Sequence, residues 1–147
     1  MLEYVRTLRY IRILQHLSGE RDRGYRCLQL VRHVVDKDVI VRFERLLDEY
    51  FDSDAPLQEG LPTVKYFADK VFLSANYFGD MIKKQTGQTA SEYIQKKLIE
   101  RAKETLLGTD KTTSEIAYEL GFQYPQHLSR MFKRMTGCTP NEFRSLN

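Results

Sequence analysis

The chain has few of the residues that bind metals or form disulfides. Its 147 residues include two cysteines and three histidines. Cys27 and Cys138 are too far apart in sequence to form a local metal cluster, and no pair of histidines or cysteines has zinc-ligand spacing. We therefore expect no metal centre, and we interpret both thiols as reduced, as in a cytosolic protein.

Long hydrophobic runs and catalytic patterns are also missing. No stretch of about 18 apolar residues is present, and the N-terminus does not resemble a signal peptide. There is no glycine-rich phosphate loop, nucleophile elbow or alternating strand pattern. We expect an all-α cytoplasmic protein that binds no cofactor, has no membrane partner and is not an enzyme.

The positive charge is concentrated in the second part of the chain. The net charge is +3. Residues 1–60 contain 10 basic and 11 acidic side chains, whereas residues 61–147 contain 13 and 9. The second part is therefore the one expected to meet a negatively charged partner.

The first 60 residues predict a helical extension. Residues 2–17 have the spacing of an amphipathic helix, and residues 18–24 form a polar break. After a second apolar segment, a helix is predicted from about Asp38 to Phe51. Two prolines, a glycine and three acidic residues within residues 52–62 indicate a domain boundary. The apolar face of the first helix consists of Val5, Leu8, Ile11 and Leu14, beside a row of Arg6, Arg9 and Arg12.

Residues 61–147 contain one pattern twice. Residues 63–93 and 112–143 match at an offset of 49 to 50 residues, with one extra residue in the second turn. The matched pairs are Ala68/Ala117, Val71/Leu120, Leu73/Phe122, Phe78/Leu128, Met81/Met131, Ile82/Phe132, Lys83/Lys133, Thr86/Thr136, Gly87/Gly137 and Thr89/Thr139. Two copies of a small helical unit, each ending in a basic helix, suggest a protein that contacts duplex DNA at two points.

Capping residues predict where the helices of this segment begin. Thr89, Thr112 and Thr139 each precede a glutamate by three residues, which is the pattern of a capping box. Pro140 follows at the first helical position, where it is tolerated. Thr63 has half of the box, because Tyr66 stands in place of the glutamate. These signals predict helices at about 64–71, 75–86, 90–107, 113–120, 125–136 and 140–146.

The helix predicted at 125–136 has one apolar stripe and one basic face. The stripe comprises Leu128, Met131, Phe132 and Met135, and the other face carries Gln126, His127, Arg130, Lys133 and Arg134. Arginine can pair with guanine and glutamine with adenine, whereas basic residues toward the helix end can contact phosphates. A short helix, a tight turn at Gly121 and this basic helix predict a helix-turn-helix.

The second copy also carries a family signature. It consists of Gly121, Phe122, Phe132, Lys133, Gly137, Thr139, Pro140, Phe143 and Arg144. These residues resemble the AraC/XylS transcription regulators, and the resemblance covers about residues 61–147. It implies a DNA-binding domain with helix-turn-helix units at 63–87 and 112–137, a connecting helix at 89–107 and a final helix at 139–147. It further implies that both recognition helices enter successive major-groove segments on one face of the duplex.

Base-contacting positions carried over from that family differ between the two recognition helices. They fall on Asn76, Gly79 and Asp80 in the first helix, and on Pro125, Gln126, Ser129 and Arg130 in the second. Gly79 has no side chain to reach a base, and Asp80 repels phosphate and could accept only from cytosine. We therefore expect the second unit to carry most specificity. The expected DNA-contacting residues are Asn76, Tyr77, Asp80, Lys83, Lys84, Gln126, His127, Ser129, Arg130, Lys133 and Arg134.

Other residues have structural interpretations. A basic row on the connecting helix is as compatible with a solvated face as with phosphate contact: Lys96, Lys97, Arg101 and Lys103. We interpret Met81, Met131, Phe132 and Met135 as core. His16 and His33 are interpreted as structural or exposed, and Cys138 as an inert small residue in a turn. His127 is equally compatible with a DNA contact and with simple exposure.

The favoured function is a bacterial sequence-specific transcription regulator, more specifically an activator that binds promoter DNA. RNA polymerase and a second copy, joined through the N-terminal helices, are the expected partners. The alternative is a protein-interaction module that keeps the fold without specific DNA readout, as a partner or antagonist of a full-length regulator. Residues 1–60 are too few for the effector-binding β-barrel common in the family. They are interpreted as the tail of a regulatory domain, a linker or a dimerisation segment.

Overall fold

The computed structural model describes residues 23–147, with side chains from residue 32 onward except at residue 33. These residues form eight helices and no strand, which confirms the all-α prediction. The helices are α1 (Arg23–Asp52), α2 (Ala55–Glu59), α3 (Val64–Lys70), α4 (Ala75–Thr86), α5 (Ala90–Gly108), α6 (Thr113–Glu119), α7 (Pro125–Thr136) and α8 (Pro140–Leu146). The helix predicted at residues 2–17 lies outside the described residues, as do the side chains of Cys27, His16 and His33.

Helix α1 is longer than the sequence suggested. A helix was expected from about Asp38, but α1 begins at Arg23 and ends at Asp52. No proline or glycine occurs between Gly24 and Ala55, so nothing interrupts the backbone hydrogen bonds. Lysine is a good helix former and aspartate costs no more than about 0.7 kcal/mol in a helix interior, so the polar stretch at 36–38 does not end the helix. The predicted start is therefore wrong.

By their contacts, Met1–Arg42 and Phe43–Asn147 form two compact units. Within Met1–Arg42, the described part is α1 as far as Arg42. The larger part, Phe43–Asn147, contains the end of α1 and also α2, which occupies the middle of residues 52–62 and has the buried Pro56 in its first turn. Residues 43–60, which the sequence assigned to the extension, thus belong by their contacts to the unit that holds the repeat.

The capping residues start the helices of the repeat as predicted. Complete capping boxes form at Thr89, Thr112 and Thr139. Thr63 has half a box, in which its hydroxyl accepts from the amide of Tyr66 at 3.1 Å. A cap that the sequence analysis missed is Ser74, which accepts from the amide of Tyr77 at 3.2 Å and starts α4. The predicted bounds of α3 to α8 agree with the observed ones to within one residue.

The core of the first helix-turn-helix is aromatic. Phe43 of α1 lies with its ring centroid 5.1 Å from that of Phe67 in α3 and 5.1 Å from that of Phe78 in α4, edge-on to both. Tyr93 of α5 contacts Phe43, and its hydroxyl donates to the carboxylate of Glu44. Burial, helped by that carboxylate, raises the pKa of Tyr93 to about 12. Phe43 of α1 and Tyr93 of α5 thus complete the core of the first helix-turn-helix.

The second helix-turn-helix has a core that is mostly aliphatic, with two phenylalanines. It comprises Leu98, Ile99, Ala102, Leu106, Ile116, Ala117, Leu120, Phe122, Leu128 and Phe132, from α5, α6, α7 and the turn between the last two. Half-buried Phe143 of α8 packs against it, with its ring centroid 5.5 Å from that of Phe132. Helix α5 therefore contributes to both units, its first turns to one and its later turns to the other.

Arg144 fixes α8 to the end of α5. Its Nε donates to the carbonyl of Leu106 at 2.9 Å, and its terminal nitrogen donates to the carbonyls of Thr109 and Lys111. The last carbonyls of a helix have no partner within the helix. Arg144 supplies one to Leu106 and thereby ties the final helix to the connecting helix.

Candidate nucleic-acid interface

Helix α7 presents a polar face opposite a buried stripe. Leu128 and Phe132 are fully buried, and Met131 is half-buried. The predicted DNA-contacting residues on the other face are all exposed: Gln126, His127, Arg130, Lys133 and Arg134. Pro125 begins the helix, and Gly137 ends it in a left-handed conformation with φ of 85°. The face predicted from the spacing is therefore accessible over its whole length.

Met135 is not a core residue, contrary to the prediction. Its side chain is 40% exposed, although it continues the stripe of Leu128 and Phe132. Helical spacing determines the direction in which a side chain points, but not how far the neighbouring helices extend. Met135 lies in the last turn of α7, just before the chain leaves at Gly137.

The contacts at Arg134 and Ser129 set these two residues apart from the rest of the face. The terminal nitrogen of Arg134 donates to the side-chain oxygen of Gln95 in α5 at 2.9 Å. Ser129 is half-buried, and its hydroxyl lies 3.5 Å from the carbonyl oxygen of Pro125. Arg130 and Lys133 are exposed and are the two cations of α7 that extend from it without such a tether.

Tyr124 is a feature of this surface that the sequence analysis missed. It precedes α7 as the cap residue without a side-chain cap bond, and its ring is 55% exposed. Its centroid lies 5.5 Å from that of His127, edge-on. The sequence held one signal that could have revealed Tyr124. The second copy has one extra residue in its turn, and this insertion places an aromatic side chain immediately before the recognition helix.

Helix α4 presents the corresponding face of the first unit. Phe78, Met81 and Ile82 are buried, which confirms the core assignment of Met81. The predicted contact residues on its outer side are exposed: Asn76, Tyr77, Asp80, Lys83 and Lys84. Gly79 is half-buried and leaves a gap in the middle of this face, with no atom within 4 Å of where a Cβ would lie.

The two recognition helices differ in charge. Helix α4 carries Lys83 and Lys84 against Asp80, a net charge of +1, whereas α7 carries Arg130, Lys133 and Arg134 and no acidic residue, a net charge of +3. Phosphate attraction and guanine recognition both require cations. Helix α7 is therefore the stronger candidate for base contacts.

Most of the basic row on α5 serves the fold. Lys97 pairs with Asp48 of α1 at 3.0 Å, and Arg101 pairs with Asp52 at 2.8 Å and with Asp48 at 3.5 Å. The ammonium group of Lys103 lies 5.7 Å from the centroid of the Phe143 ring. Lys96 is exposed. For Lys97, Arg101 and Lys103 these contacts favour the structural interpretation.

Other kinds of site find little support in residues 23–147. No group of three or more histidine, cysteine, aspartate or glutamate side chains in this part could hold a metal ion. Cys138 is a free, half-buried thiol 3.7 Å from the hydroxyl of Thr136. None of the helices described is long and apolar enough to cross a membrane.

Comparison with known proteins identifies the repeat as a helix-turn-helix domain. A family model described as a helix-turn-helix domain matches residues 67–145. The chain is 40% identical over 78 residues to YesN of Bacillus subtilis, described as an uncharacterized transcriptional regulatory protein. It is 28% identical over 116 residues to the HTH-type transcriptional activator RhaS of Citrobacter koseri.

The matched regions are a fraction of these relatives. They cover 52% of this chain and 21% of YesN, and 72% of this chain and 42% of RhaS. The chain therefore spans less than half the length of either protein.

Solved structures share the fold. The C-terminal domain of the two-component response regulator yesN from Fusobacterium nucleatum superimposes with a TM-score of 0.64 at 26% identity, covering 73% of this chain and 98% of that domain. The DNA-binding domain of AdpA, solved with a target DNA, gives a TM-score of 0.61 at 20% identity, over 76% of this chain and 90% of that domain. The AdpA match concerns the fold alone.

Proposed function

The chain belongs to the AraC/XylS family of helix-turn-helix transcription regulators, and we propose that it binds promoter DNA sequence-specifically in the bacterial cytoplasm and regulates transcription there. Proteins of this family are not enzymes, which agrees with the expectation from the sequence. The observation that carries the proposal is the exposed face of α7, where Gln126, Arg130 and Lys133 project from a helix whose opposite side is buried.

We assign base recognition mainly to α7. Arg130 offers a bidentate fork to guanine, and Gln126 can pair with adenine through its amide. Lys133, one turn further along, is placed for a phosphate. Arg134 is anchored to Gln95 and contributes charge from a fixed position.

Helix α4 has a supporting role in this proposal. With Gly79 in the middle of its face and Asp80 beside it, α4 offers few donors for base edges. Asn76 and Tyr77 lie near its start, and Lys83 and Lys84 near its end can contact phosphates. The first unit then mainly positions the protein on the duplex.

The connecting helix is compatible with binding in two successive major grooves. Helix α5 has 19 residues, which at a rise of 1.5 Å gives about 28 Å. Major-groove segments one turn apart are separated by about 34 to 36 Å. A target DNA is bound by AdpA, whose domain has this fold.

Further parts of the proposal concern partners. Two relatives, RhaS and RhaR, are described as activators, and on that basis we propose activation through contact with RNA polymerase. Homodimerisation through the N-terminal helices remains part of the proposal. The alternative, a protein-interaction module without specific readout, is favoured by Gly79 and Asp80 alone.

Selection from a random duplex library with the purified chain tests this function. We expect a site bound about 10³-fold or more above non-specific DNA. Arg130→Ala should cost about 1–3 kcal/mol and relax preference at one base position. Lys133→Ala is the matched control, and should weaken all sequences equally and reduce the salt slope by about 1.

Weak binding that is equal for all sequences and steeply dependent on salt would overturn the proposal. Such binding reports phosphate attraction alone. The interaction-module alternative would then be favoured.

A further inference from the structure

The C-terminal part of α1 and the whole of α2 contact both helix-turn-helix units. We call residues Phe43–Gly60 the bridge segment. On the first unit, Phe43 lies between Phe67 and Phe78, and the ring centroid of Tyr50 is 5.2 Å from that of Tyr66. These rings attach one end of the bridge segment to α3 and α4.

The other end of the bridge segment contacts the second unit. Helix α2 packs against α6, and Gly60 lies directly against Gly121 in the turn between α6 and α7. A Cβ on Gly121 would be 2.6 Å from the carbonyl carbon and oxygen of Gly60, and 2.9 Å from the carbonyl oxygen of Pro56. The two backbones are therefore too close for any side chain at Gly121.

A hydrogen bond joins the two ends. The hydroxyl of Tyr50 donates to the carbonyl of Gly60 at 2.8 Å. Because Tyr50 also packs on Tyr66 of the first unit, one residue connects α3 to the backbone that touches Gly121.

The first unit shows that the turn itself does not require glycine. Val71 and Leu73 match Leu120 and Phe122 in the repeat, so Phe72 corresponds to Gly121. Phe72 also has a positive φ, 59° against 92° for Gly121, and the residue is 61% exposed. The turn accepts a large side chain where no bridge segment lies against it. At residue 121 two features favour glycine: a φ of 92°, beyond the usual left-handed range of other residues, and the backbone of Gly60 and Pro56, which leaves no room for a Cβ.

We infer that the bridge segment holds the second recognition helix at a set position relative to the first, and thereby determines which spacing between two DNA half-sites the protein accepts. The inference rests on the proposed function. Without this contact α5 would be the main link between the units, and long helices curve gently along their length rather than staying straight. A second support at Gly121 restricts that curvature. Each base pair turns the groove by roughly 34 to 36°, so a small rotation of α7 is enough to change the preferred spacing.

Gly121→Ala and Gly137→Ala form a matched pair. Both glycines have positive φ, 92° and 85°, so both variants strain the backbone similarly. The added methyl group meets Gly60 at residue 121 but nothing within 4 Å at residue 137. Only Gly121→Ala should displace the bridge segment.

The position of α7 can be measured without DNA. Spin labels on Ala75→Cys in α4 and Met135→Cys in α7, in a Cys27→Ser and Cys138→Ala background, report the distance between the recognition helices. We expect the distance distribution to shift or broaden in Gly121→Ala and to be unchanged in Gly137→Ala. Equal distributions in the two variants would overturn the inference, whatever the outcome of the DNA selection.

Spacing preference is the functional readout. On duplexes whose half-site separation changes by single base pairs, the wild type should show one optimum. Gly121→Ala should lose about tenfold or more at that optimum and have a flatter or displaced profile, because α7 no longer meets the groove in register. Gly137→Ala should keep the wild-type profile.

A milder pair covers the case in which Gly121→Ala fails to fold. Tyr50→Phe removes the hydroxyl that bonds Gly60, whereas Tyr118→Phe removes one from an exposed ring on α6. The first should broaden the distance distribution and the second should not; identical behaviour would contradict the inference. Loss of site preference in the wild type itself would instead count against the proposed function.

Discussion

The two helix-turn-helix units share their helices and caps but are completed in different ways. The first is closed by an aromatic cluster whose centre, Phe43, comes from α1, outside the repeated sequence. The second is closed by residues of α5 and by Phe143 of α8, and Phe51 of α1 packs against the same core. Positions that match in sequence therefore have different neighbours, although α1 and α5 contribute to both units.

The same contrast appears one residue beyond the end of each copy. Ile94 and Arg144 correspond at the 50-residue offset. Ile94 is buried in the first unit, whereas Arg144 hydrogen bonds to three carbonyls at the end of α5 and just beyond it. One copy is completed by apolar burial and the other by hydrogen bonds to a helix end.

The largest expected effects come from removing one buried ring from the core of each helix-turn-helix unit. Phe43→Ala and Phe132→Ala each remove a fully buried ring, at a cost of about 3–5 kcal/mol. Hydrogen exchange should show that Phe43→Ala mainly loses protection in α3 and α4, and Phe132→Ala in α6 and α7. Phe72→Ala, which truncates an exposed ring, is the control and should change protection little. Equal loss across both units in both variants would show that they unfold as one.

An intermediate effect is expected at Arg144. Arg144→Ala leaves the partly buried carbonyl of Leu106 at the end of α5 without this donor, at a cost of about 1–3 kcal/mol. Arg144→Lys keeps the charge but lacks the planar fork, so it should recover only part of the loss. Urea unfolding midpoints measure both. Full recovery by lysine would mean that charge, not the hydrogen bonds, stabilises this junction.

The smallest effect contrasts the complete cap of α6 with the half cap of α3. Hydrogen bonds from Thr112 lower the pKa of Glu115 below 4.5. The larger contribution comes from the amide of Thr112 and the smaller one from its hydroxyl. A carboxyl whose pKa is lowered on folding stabilises the fold above its unfolded pKa. That contribution is lost as the pH falls through the folded pKa. Glu115→Gln should therefore lower the thermal midpoint at pH 7 and have no effect once the pH is well below 4.5.

Thr63→Ala provides the comparison, because Tyr66 stands where a carboxylate would complete that box. It should cost about 1 kcal/mol, and the loss should be the same at both pH values. A pH-dependent loss in Thr63→Ala, or a constant one in Glu115→Gln, would contradict this account of the two caps.

Local signals predicted much of the fold. A cap acts between residues three apart, and a buried stripe between residues three or four apart, so the bounds of α3 to α8 and the outer faces of α4 and α7 followed from the sequence. The early start of α1 was missed because the polar stretch at 36–38 interrupts the apolar spacing without interrupting the helix. Met135 was misplaced because its burial depends on how far other helices extend.

For the candidate site, the sequence predicted which residues are exposed but not which of them are bound to other helices. The spacing placed Gln126, Arg130 and Lys133 on one exposed face, where the structure has them. It did not distinguish Arg134, which bonds Gln95, 39 residues away. It also could not decide between solvation and pairing for Lys97 and Arg101, since their acidic partners lie on α1.

The sequence by itself determined the repeat, the starts of α3 to α8 and the outer faces of α4 and α7, because these depend on residues within about one or two helical turns of each other. Only the tertiary structure decided which cations are tied to the fold, how far the apolar stripes are buried, and that Gly60 lies against Gly121. Those features join residues far apart in the chain, and their contacts exist only once the helices have packed.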